Sequence, residues 1–398
     1  MQEWPRDACS PATDLPTTSP RPKPAVVSVP GPAPLAHPRP RVAVLSLARR
    51  GGMGEAKRVA SWVSIFEAAG AEVTTIPLLR DHRARYLSGG AAVLKGTAVP
   101  ETLAWSQRSV ARELARLEAD VVVCVTARAF HPSWADGRRT VVVDFVDRLS
   151  VSYRDRAGIT GPWSRRLLFH GLAVTSRRFE GRSLGDGVRT VAAGWDDARH
   201  LGAEWVPIVV EPPGPAAGCG APDCDVLFFG NLAYPPNVAA VERLARLWPA
   251  VLARRPGTTA RIAGANVTPA VRALAAGHGW DLVSDFPSVS DLCAGARLAV
   301  APLTHTAGIQ IKVLEAAALG LAQVVTPAVV RGMQPGFPVT VAATDDELAT
   351  AIVELLDDPG RRDREGAAAR RHMARHYTAE AWSTWPATLS AAVFQSGR

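Results

Sequence analysis

Uninterrupted apolar runs alternate with amphipathic stretches along this chain, and the alternation begins at Arg41. RVAVLSLA is a near-continuous β run of the kind that is covered on both faces in a parallel sheet. A helical period follows through Val59 to Ala69, then AEVTTIPLL as a second strand, which together predict a right-handed βαβ unit. A helix around Ser106 to Ala119 leads to the strand DVVVCVTA and then to TVVVDFVDRLSVSYRDRA, also read as strand. GLAVTSRRFEGRSL, VRTVAAGW and AEWVPIVVEPPGP read as the closing strands of a first domain.

The pattern restarts at DVLFFGNLAYPPNVAAVERLARLWPAVL, an apolar strand ending in Gly230-Asn231, then a loop and an amphipathic helix. TARIAGANVTP supplies another strand and loop, with Gly264 at its tip. The stretch RLAVAPLTHTAGIQIKVLEAAALGLAQVVT reads as buried strand, polar loop, alanine-rich helix and second buried strand. DDELATAI opens the C-terminal helices on an acidic first turn, which suits the positive end of the helix dipole. Strands alternating with helices in this way predict the α/β class with parallel sheets.

At 398 residues the chain suits two domains better than one. Eleven of its 32 prolines fall in residues 1–40, among Ser, Thr and Ala without periodicity, so that segment is expected to be a disordered extension. A first domain is expected over residues 41–212 and a Pro/Gly-rich linker over 213–222. A second domain is expected over 223–378, and a segment returning to the first domain over 379–398. The formal charge of +8 comes with no basic stripe interleaved with aromatics and no zinc-finger spacing, so nucleic acid is not an expected partner. A phosphorylated substrate or peripheral contact with an anionic membrane explains the charge equally well. No apolar run reaches the ~18 residues a membrane span needs. Five cysteines, one of them inside an apolar strand, favour a reducing compartment, and the expected location is cytoplasmic.

Candidate chemistry concentrates at the loop before GIQIKVLEAAALG. A parallel strand feeding a helix through a short loop turns backbone N–H groups and the positive end of the helix dipole toward a ligand, which suits a diphosphate. Lys312 and Glu315 lie three apart and share one helix face, where a cation can meet phosphate and a carboxylate can accept ribose hydroxyls. An ordinary alanine-rich core helix carrying a surface ion pair fits the same residues. Gly51, Gly52 and Gly54 would let backbone approach a ligand, or simply form a tight turn. A dinucleotide site fits poorly there, because the full G-x-G-x-x-G is absent and no acid sits near the end of VTTIPLL, and a P-loop is excluded by the missing Gly-Lys-Ser/Thr. Asp144 and Asp147 follow a strand at i and i+3, where they could act as general base and hydroxyl ligand or could cap the next helix and pair with Arg148 or Arg154. Asp223 and Asp225 form a superficial D-x-D beside the linker, discounted because a metal-diphosphate site needs both acids at the ligand. No histidine or cysteine spacing suggests a metal.

GIQIKVLEAAALG resembles the donor-site helix of family-4 retaining glycosyltransferases of the GT-B fold, written G-T-R-I-K-V-L-E-A-M-A-x-G. GNLAYPPN resembles the G-x-x-x-x-P-P-N segment of the same proteins, and DFVDRLS their D-x-x-D-x-L-S segment. The resemblance implies an α/β GT-B architecture, two doubly wound Rossmann-like domains facing across a cleft. It implies sugar transfer from a nucleoside diphosphate donor, most simply a UDP-sugar, to a hydroxyl acceptor, with retention and without metal or cofactor. Donor-binding positions implied are Gly230, Asn231, Gly264, Gly308, Ile309, Gln310, Lys312 and Glu315. Gly51, Gly52 and Asp147 would line the acceptor side, and Asp144 would be the catalytic base. The family's usual arginine is Gln310 here, and its glutamate eight residues before the ribose glutamate is Ala307. These departures keep open a non-catalytic relative, and a sugar-nucleotide epimerase of the same fold is a further alternative.

Overall fold

Among the described residues every strand pairing is parallel, and the strands form two sheets of six. The computed structural model describes residues 39–389 apart from 48–52, 79–98, 100–106, 136, 160, 161, 183, 185, 186, 212–221, 285, 287, 305 and 307. Residues 1–38 of the expected extension, the expected linker up to residue 221, Gly51, Gly52 and Ala307 therefore lie outside the described residues.

The first sheet contains β1 (Arg41–Leu47), β2 (Glu72–Leu78), β3 (Val121–Val125), β4 (Thr140–Asp144), β5 (Val188–Ala192) and β6 (Glu204–Trp205), in the order β2-β1-β3-β4-β5-β6. Helices α1 (Met53–Ala68), α2 (Gln107–Leu117), α3 (Leu149–Ile159), α4 (Trp163–Glu180) and α5 (Trp195–Leu201) belong to this lobe. All five residues of β3 are buried, as a strand flanked by cores on both faces requires.

Two expected strands are helices. The run after Asp144 turns helical at Leu149, and Leu149, Tyr153 and Ala157 are buried at a spacing of four, a helical period hidden among Ser and Arg. GLAVTSRRFE is the second half of α4, buried at Ala173, Ser176 and Phe179. Its Val174 and Thr175 suggest a strand by propensity, but packing of a three-residue repeat against α3 overrides propensity.

The second sheet contains β7 (Cys224–Phe229), β8 (Ala260–Ala263), β9 (Asp281–Val283), β10 (Ala296–Ala301), β11 (Gln323–Val325) and β12 (Thr340–Val341). Its order is β12-β11-β10-β7-β8-β9, so the strand order reverses between β7 and β10. Around it lie α6 (Pro235–Arg254), α7 (Pro269–His278), α8 (Val289–Ala294), α9 (Ile311–Ala318), α10 (Pro327–Val330), α11 (Asp345–Asp357) and α12 (Pro359–His376). A capping box at Thr344 and Glu347 starts α11.

The chain then returns to the first lobe through α13 (Ala379–Trp382) and the turn at Trp385–Thr388. Trp385 meets Trp62 and Phe66 of α1 at centroid distances of 5.4 and 6.4 Å, and its indole N–H donates to Glu204 at 3.1 Å. Trp205 of β6 packs edge-on against Tyr377 and Trp382. The Val210 N–H donates to the Tyr377 carbonyl at 2.8 Å. Aromatic faces and one backbone bond thus join the end of the second lobe to the first.

The first lobe buries one ion pair completely. Arg58 on α1 donates from Nε to the Asp144 carboxylate at 2.5 Å and from Nη1 to the Pro207 carbonyl at 2.6 Å, and both side chains are shut off from solvent. Trp62 adds an indole N–H to the same carboxylate oxygen at 2.7 Å, and the Arg58 guanidinium lies 4.7 Å from the Trp62 ring. The family resemblance implies that Asp144 is a base in the cleft. It is instead a core residue whose carboxylate is taken up by Arg58, Trp62 and the Val146 N–H. Arg58→Met leaves that carboxylate buried and unpaired, which should cost about 3–5 kcal/mol of folding stability. Urea unfolding at neutral pH measures this, and a loss under about 1 kcal/mol would remove the pair from the list of structural anchors.

Candidate functional site

In a parallel sheet, ligands sit beyond the C-terminal strand ends where the strand order reverses. In the second sheet that point lies between β7 and β10, and the loops leaving these two strands carry Gly230, Asn231, Gly308, Ile309 and Gln310. The β7 loop is locked by a backbone bond to the end of the neighbouring strand β8, and the β8 loop by one to the end of β9. Gly230 donates its N–H to the Ala263 carbonyl, and Gly264 donates its own to Val283. A side chain at Gly264 would collide with the Gly230 carbonyl oxygen, so this approach of β7 and β8 tolerates only glycine. Asn231 forms an Asx turn, accepting from the Ala233 N–H at 3.0 Å.

Gly308 has φ +66, and a side chain there would meet Asp147 Cβ at 3.2 Å. The loop before α9 therefore lies directly against the loop after β4 of the other lobe. That loop is tight. The Asp147 N–H donates to the Phe145 carbonyl at 2.5 Å across Val146, which holds φ +55. Positive φ in a β-branched residue is a strained conformation, and the Asp144 carboxylate holds it by accepting the Val146 N–H at 2.9 Å. Thr126, at the end of the neighbouring strand β3, also has positive φ, +67.

Lys312 on the first turn of α9 reaches back under this loop. Its ammonium donates to Asn237 Oδ1 and lies 4.7 Å from the Phe228 ring centroid, a cation–π contact. Asn237 in turn donates to the Asn231 carbonyl at 2.9 Å, which ties the amine to the β7 loop. Desolvation lowers the Lys312 pKa to about 7. One turn on, Glu315 points across to the first lobe and pairs with Lys57 of α1. Gly54, on the first turn of α1, lies 3.9 Å from the Ile311 side chain when given a Cβ, so α1 and α9 begin side by side. Two helix starts, each with first-turn N–H groups lacking helical acceptors, converge on one seam.

Asp147 faces the same seam. Burial pushes its carboxyl up to about 6, opposed by Arg128 and reinforced by Asp197. Tyr234 of the β7 loop is half exposed, and its hydroxyl pKa is raised by burial and by the Asp147 charge. Beside this group, the Trp195 and Asp196 N–H groups at the start of α5 donate to the Gly332 and Arg331 carbonyls, at 3.1 and 3.3 Å.

Of the expected residues, the structure brings Gly308, Ile309, Gln310, Lys312, Glu315, Gly230, Asn231 and Asp147 to one seam. Gly264 supports it from behind and Asp144 lies beneath it in the core. Lys57, Asn237 and Tyr234 join the site without having been singled out. Asn237 closes the PPN segment, and Lys57 lies three residues past Gly54, so both belong to stretches that the sequence pattern points to. Asp223 and Asp225 lie at the opposite, N-terminal end of β7, paired with Arg261 and with Arg255 and Arg297. Among the described residues no cluster of three or more His, Cys, Asp or Glu could hold a metal ion.

Residues 223–358, which carry the switch-point loops, match the family model for glycosyl transferases group 1. No curated protein sequence matches the chain. The structure is similar to sucrose-phosphate synthase from Thermosynechococcus elongatus, with TM-score 0.61 and 13% identity over 90% of this chain and 100% of that one. A glycosyltransferase from Rickettsia africae gives 0.60 and 11%, covering 89% and 98%. HepE of Anabaena, solved in complex with UDP-glucose, gives 0.58 and 13%, covering 87% and 98%. At these identities the likeness establishes the architecture: two parallel, helix-flanked sheets in the two-lobed GT-B arrangement.

Proposed function

We propose that this chain is a glycosyltransferase that moves a sugar from a nucleoside diphosphate to a hydroxyl acceptor, with retention and without a metal. The observation that carries the reading is the seam itself: at the strand-order reversal, the Gly308 loop lies against Asp147 while Lys312 and Glu315 face the same place. The match of residues 223–358 to glycosyl transferases group 1 supports it. UDP is the favoured carrier because HepE, of similar fold, was solved with UDP-glucose.

In this reading Glu315 accepts the ribose hydroxyls, exchanging Lys57 for them. The α9 start and Lys312 stabilise the negative charge that grows on the leaving diphosphate. The Gly308 backbone and Asp147 hold the sugar, and Asp147 takes over the base or hydroxyl-ligand role expected of Asp144. Asp144 acts through it, by fixing the Val146 turn that presents Asp147. Ala307 stands where the resembled family has its glutamate, which favours departure and attack on one face of the sugar over a covalent intermediate. A non-catalytic relative is the competing reading, favoured by the partners that Glu315 and Lys312 already have in Lys57 and Asn237. Release of nucleotide from a panel of UDP- and GDP-sugars tests the transferase reading, and tight nucleotide binding with no turnover over a broad acceptor panel supports the non-catalytic one.

Three outcomes are expected. Glu315→Ala should weaken UDP and uridine by similar factors, about 10- to 100-fold, the worth of a charge-assisted hydrogen bond of about 1.5–3 kcal/mol. Calorimetry checks it, and unchanged affinity would remove Glu315 from the ribose site.

Lys312 has lost its proton in the free chain above about pH 7, so binding a diphosphate there must draw a proton in. UDP affinity should therefore fall as pH rises from 7 to 9, with proton uptake visible as a dependence of binding heat on buffer. Lys312→Met should weaken UDP more than uridine and abolish that pH dependence. A parent chain whose UDP affinity is flat across this range would rule out the assignment.

Asp147 is protonated below about pH 6, where it cannot accept a proton or bind a hydroxyl as an anion. The kcat/KM should decline below that pH in the parent. Asp147→Asn should lower it by about 100-fold or more and flatten the acid limb. An Asn variant that keeps the parent's profile would return Asp147 to a structural role.

A further inference from the structure

Helix α4 has two apolar faces, and the fold uses one of them. Ala173, Ser176 and Phe179 are buried, and Phe169 stacks on Tyr153 of α3 at 6.2 Å between ring centroids. On the other side Trp163 is 78% exposed, Leu167 66%, Leu168 58% and Val174 55%. These are four of the seven large apolar side chains exposed among the described residues. At 3.6 residues per turn, Trp163, Leu167 and Val174 project within about 40° of one another, a stripe running along the solvent side. Arg166 and Arg177 flank the stripe on one side and Arg178 on the other, all exposed, with Arg165 exposed near the helix start. The helix has one acid, Glu180, at its last position, where it caps α3 by accepting from the Ser150 N–H at 2.9 Å and the Ser150 hydroxyl at 2.5 Å.

We propose that this face docks on the surface of an anionic lipid bilayer. An apolar stripe with a tryptophan at one end and arginines on both flanks is the pattern of a helix that lies in the interface plane, its apolar side chains among the acyl chains and its guanidinium groups on lipid phosphates. Self-association through a two-fold axis would set arginines against arginines, because both partners present the same patch. A bilayer with negative headgroups satisfies the stripe and the arginines together, and the chain's net charge of +8 adds long-range attraction.

Docking places the seam near the membrane. Helix α3, on which α4 packs, begins two residues after Asp147, and Asp155 and Arg156 of α3 act electrostatically on Tyr234 in the seam. If the proposed transferase activity holds, its acceptor is the hydroxyl of an amphiphile anchored in that bilayer. The acceptor class rests on the transferase reading; the docking does not.

Flotation of the full chain with vesicles tests it. Binding should be at least about tenfold greater on phosphatidylcholine containing about one-third phosphatidylglycerol than on phosphatidylcholine alone, and should fall with salt. Leu167→Asp and, separately, Trp163→Ser should each cut binding by about tenfold or more, and Arg166→Gln with Arg177→Gln by a similar factor. All of these should keep the parent's unfolding midpoint and UDP affinity. No vesicle binding by the parent, equal binding to neutral vesicles, or variants that bind as the parent does would each overturn the proposal. So would a dimer in sedimentation that Leu167→Asp dissolves without any vesicle binding. Vesicle binding by a chain that shows no affinity for nucleotides would leave docking in place and remove the transferase reading alone.

Discussion

The buried contact between Arg58 and Asp144 fixes the place where the two lobes meet. It joins α1, the end of β4 and, through Pro207, the strand-end segment that leads out of the first lobe. Two charges shut off from water need a geometry in which their lone pairs and N–H groups find partners, or the desolvation cost dominates. Here the carboxylate receives a guanidinium, an indole N–H and the Val146 amide, while of the guanidinium nitrogens Nη2 alone is left without a partner. The last of these holds a β-branched residue in a conformation it would otherwise avoid, and that conformation sets Asp147 against Gly308. A hydrophobic pair of the same volume could fill the space as stably, but it would offer no acceptor to the Val146 amide. The ion pair therefore connects core packing to the geometry of the site.

The second lobe reaches the same seam by a different route. Its reversal of strand order opens a crevice beyond the strand ends, and the two loops bordering it carry glycines where other chain segments press against them. Gly230 and Gly264 press together inside the lobe, and Gly308 presses on the other lobe. Aromatic side chains at Trp205, Tyr377, Trp382 and Trp385 then bind the chain's end to its beginning. Close approach at the site and broad contact away from it keep the two sheets in register with each other.

Much of this was legible in the residue pattern. Continuous apolar strands alternating with amphipathic helices gave the class, and the motif at 308–320 marked the loop that the fold carries to the reversal point. What the sequence hid has physical causes. A helix such as α3, whose buried residues are spaced among Ser and Arg, follows directly on a strand and masks its own period. The apolar residues of α4 lie on two faces, which blurs the one-sided signal that helix reading depends on. Asp144 and Asp147 are three residues apart and look alike on paper. Only Arg58, far away in sequence, decides that one is core and the other faces the seam. Lys57, beside it on the same helix, comes to Glu315 through the same long-range packing, which no local pattern encodes.

The charges at the seam share a condition that bears on how such a site works. Lys312 sits over an aromatic ring with an amide as its partner instead of a carboxylate, and desolvation weakens its hold on a proton. Asp147 is held by burial near neutrality. Glu315 is paired with a lysine whose own side chain is 40% exposed, so that the pair contributes little to stability. Each group is partly withdrawn from solvent in the free chain, and in the proposed reading each is satisfied by one part of a sugar nucleotide: phosphate for the lysine, ribose for the glutamate, a sugar or acceptor hydroxyl for the aspartate. Fixed groups that are costly to hold without a ligand need no reorganisation when the ligand's charge develops, and this is the condition under which electrostatic stabilisation lowers a barrier.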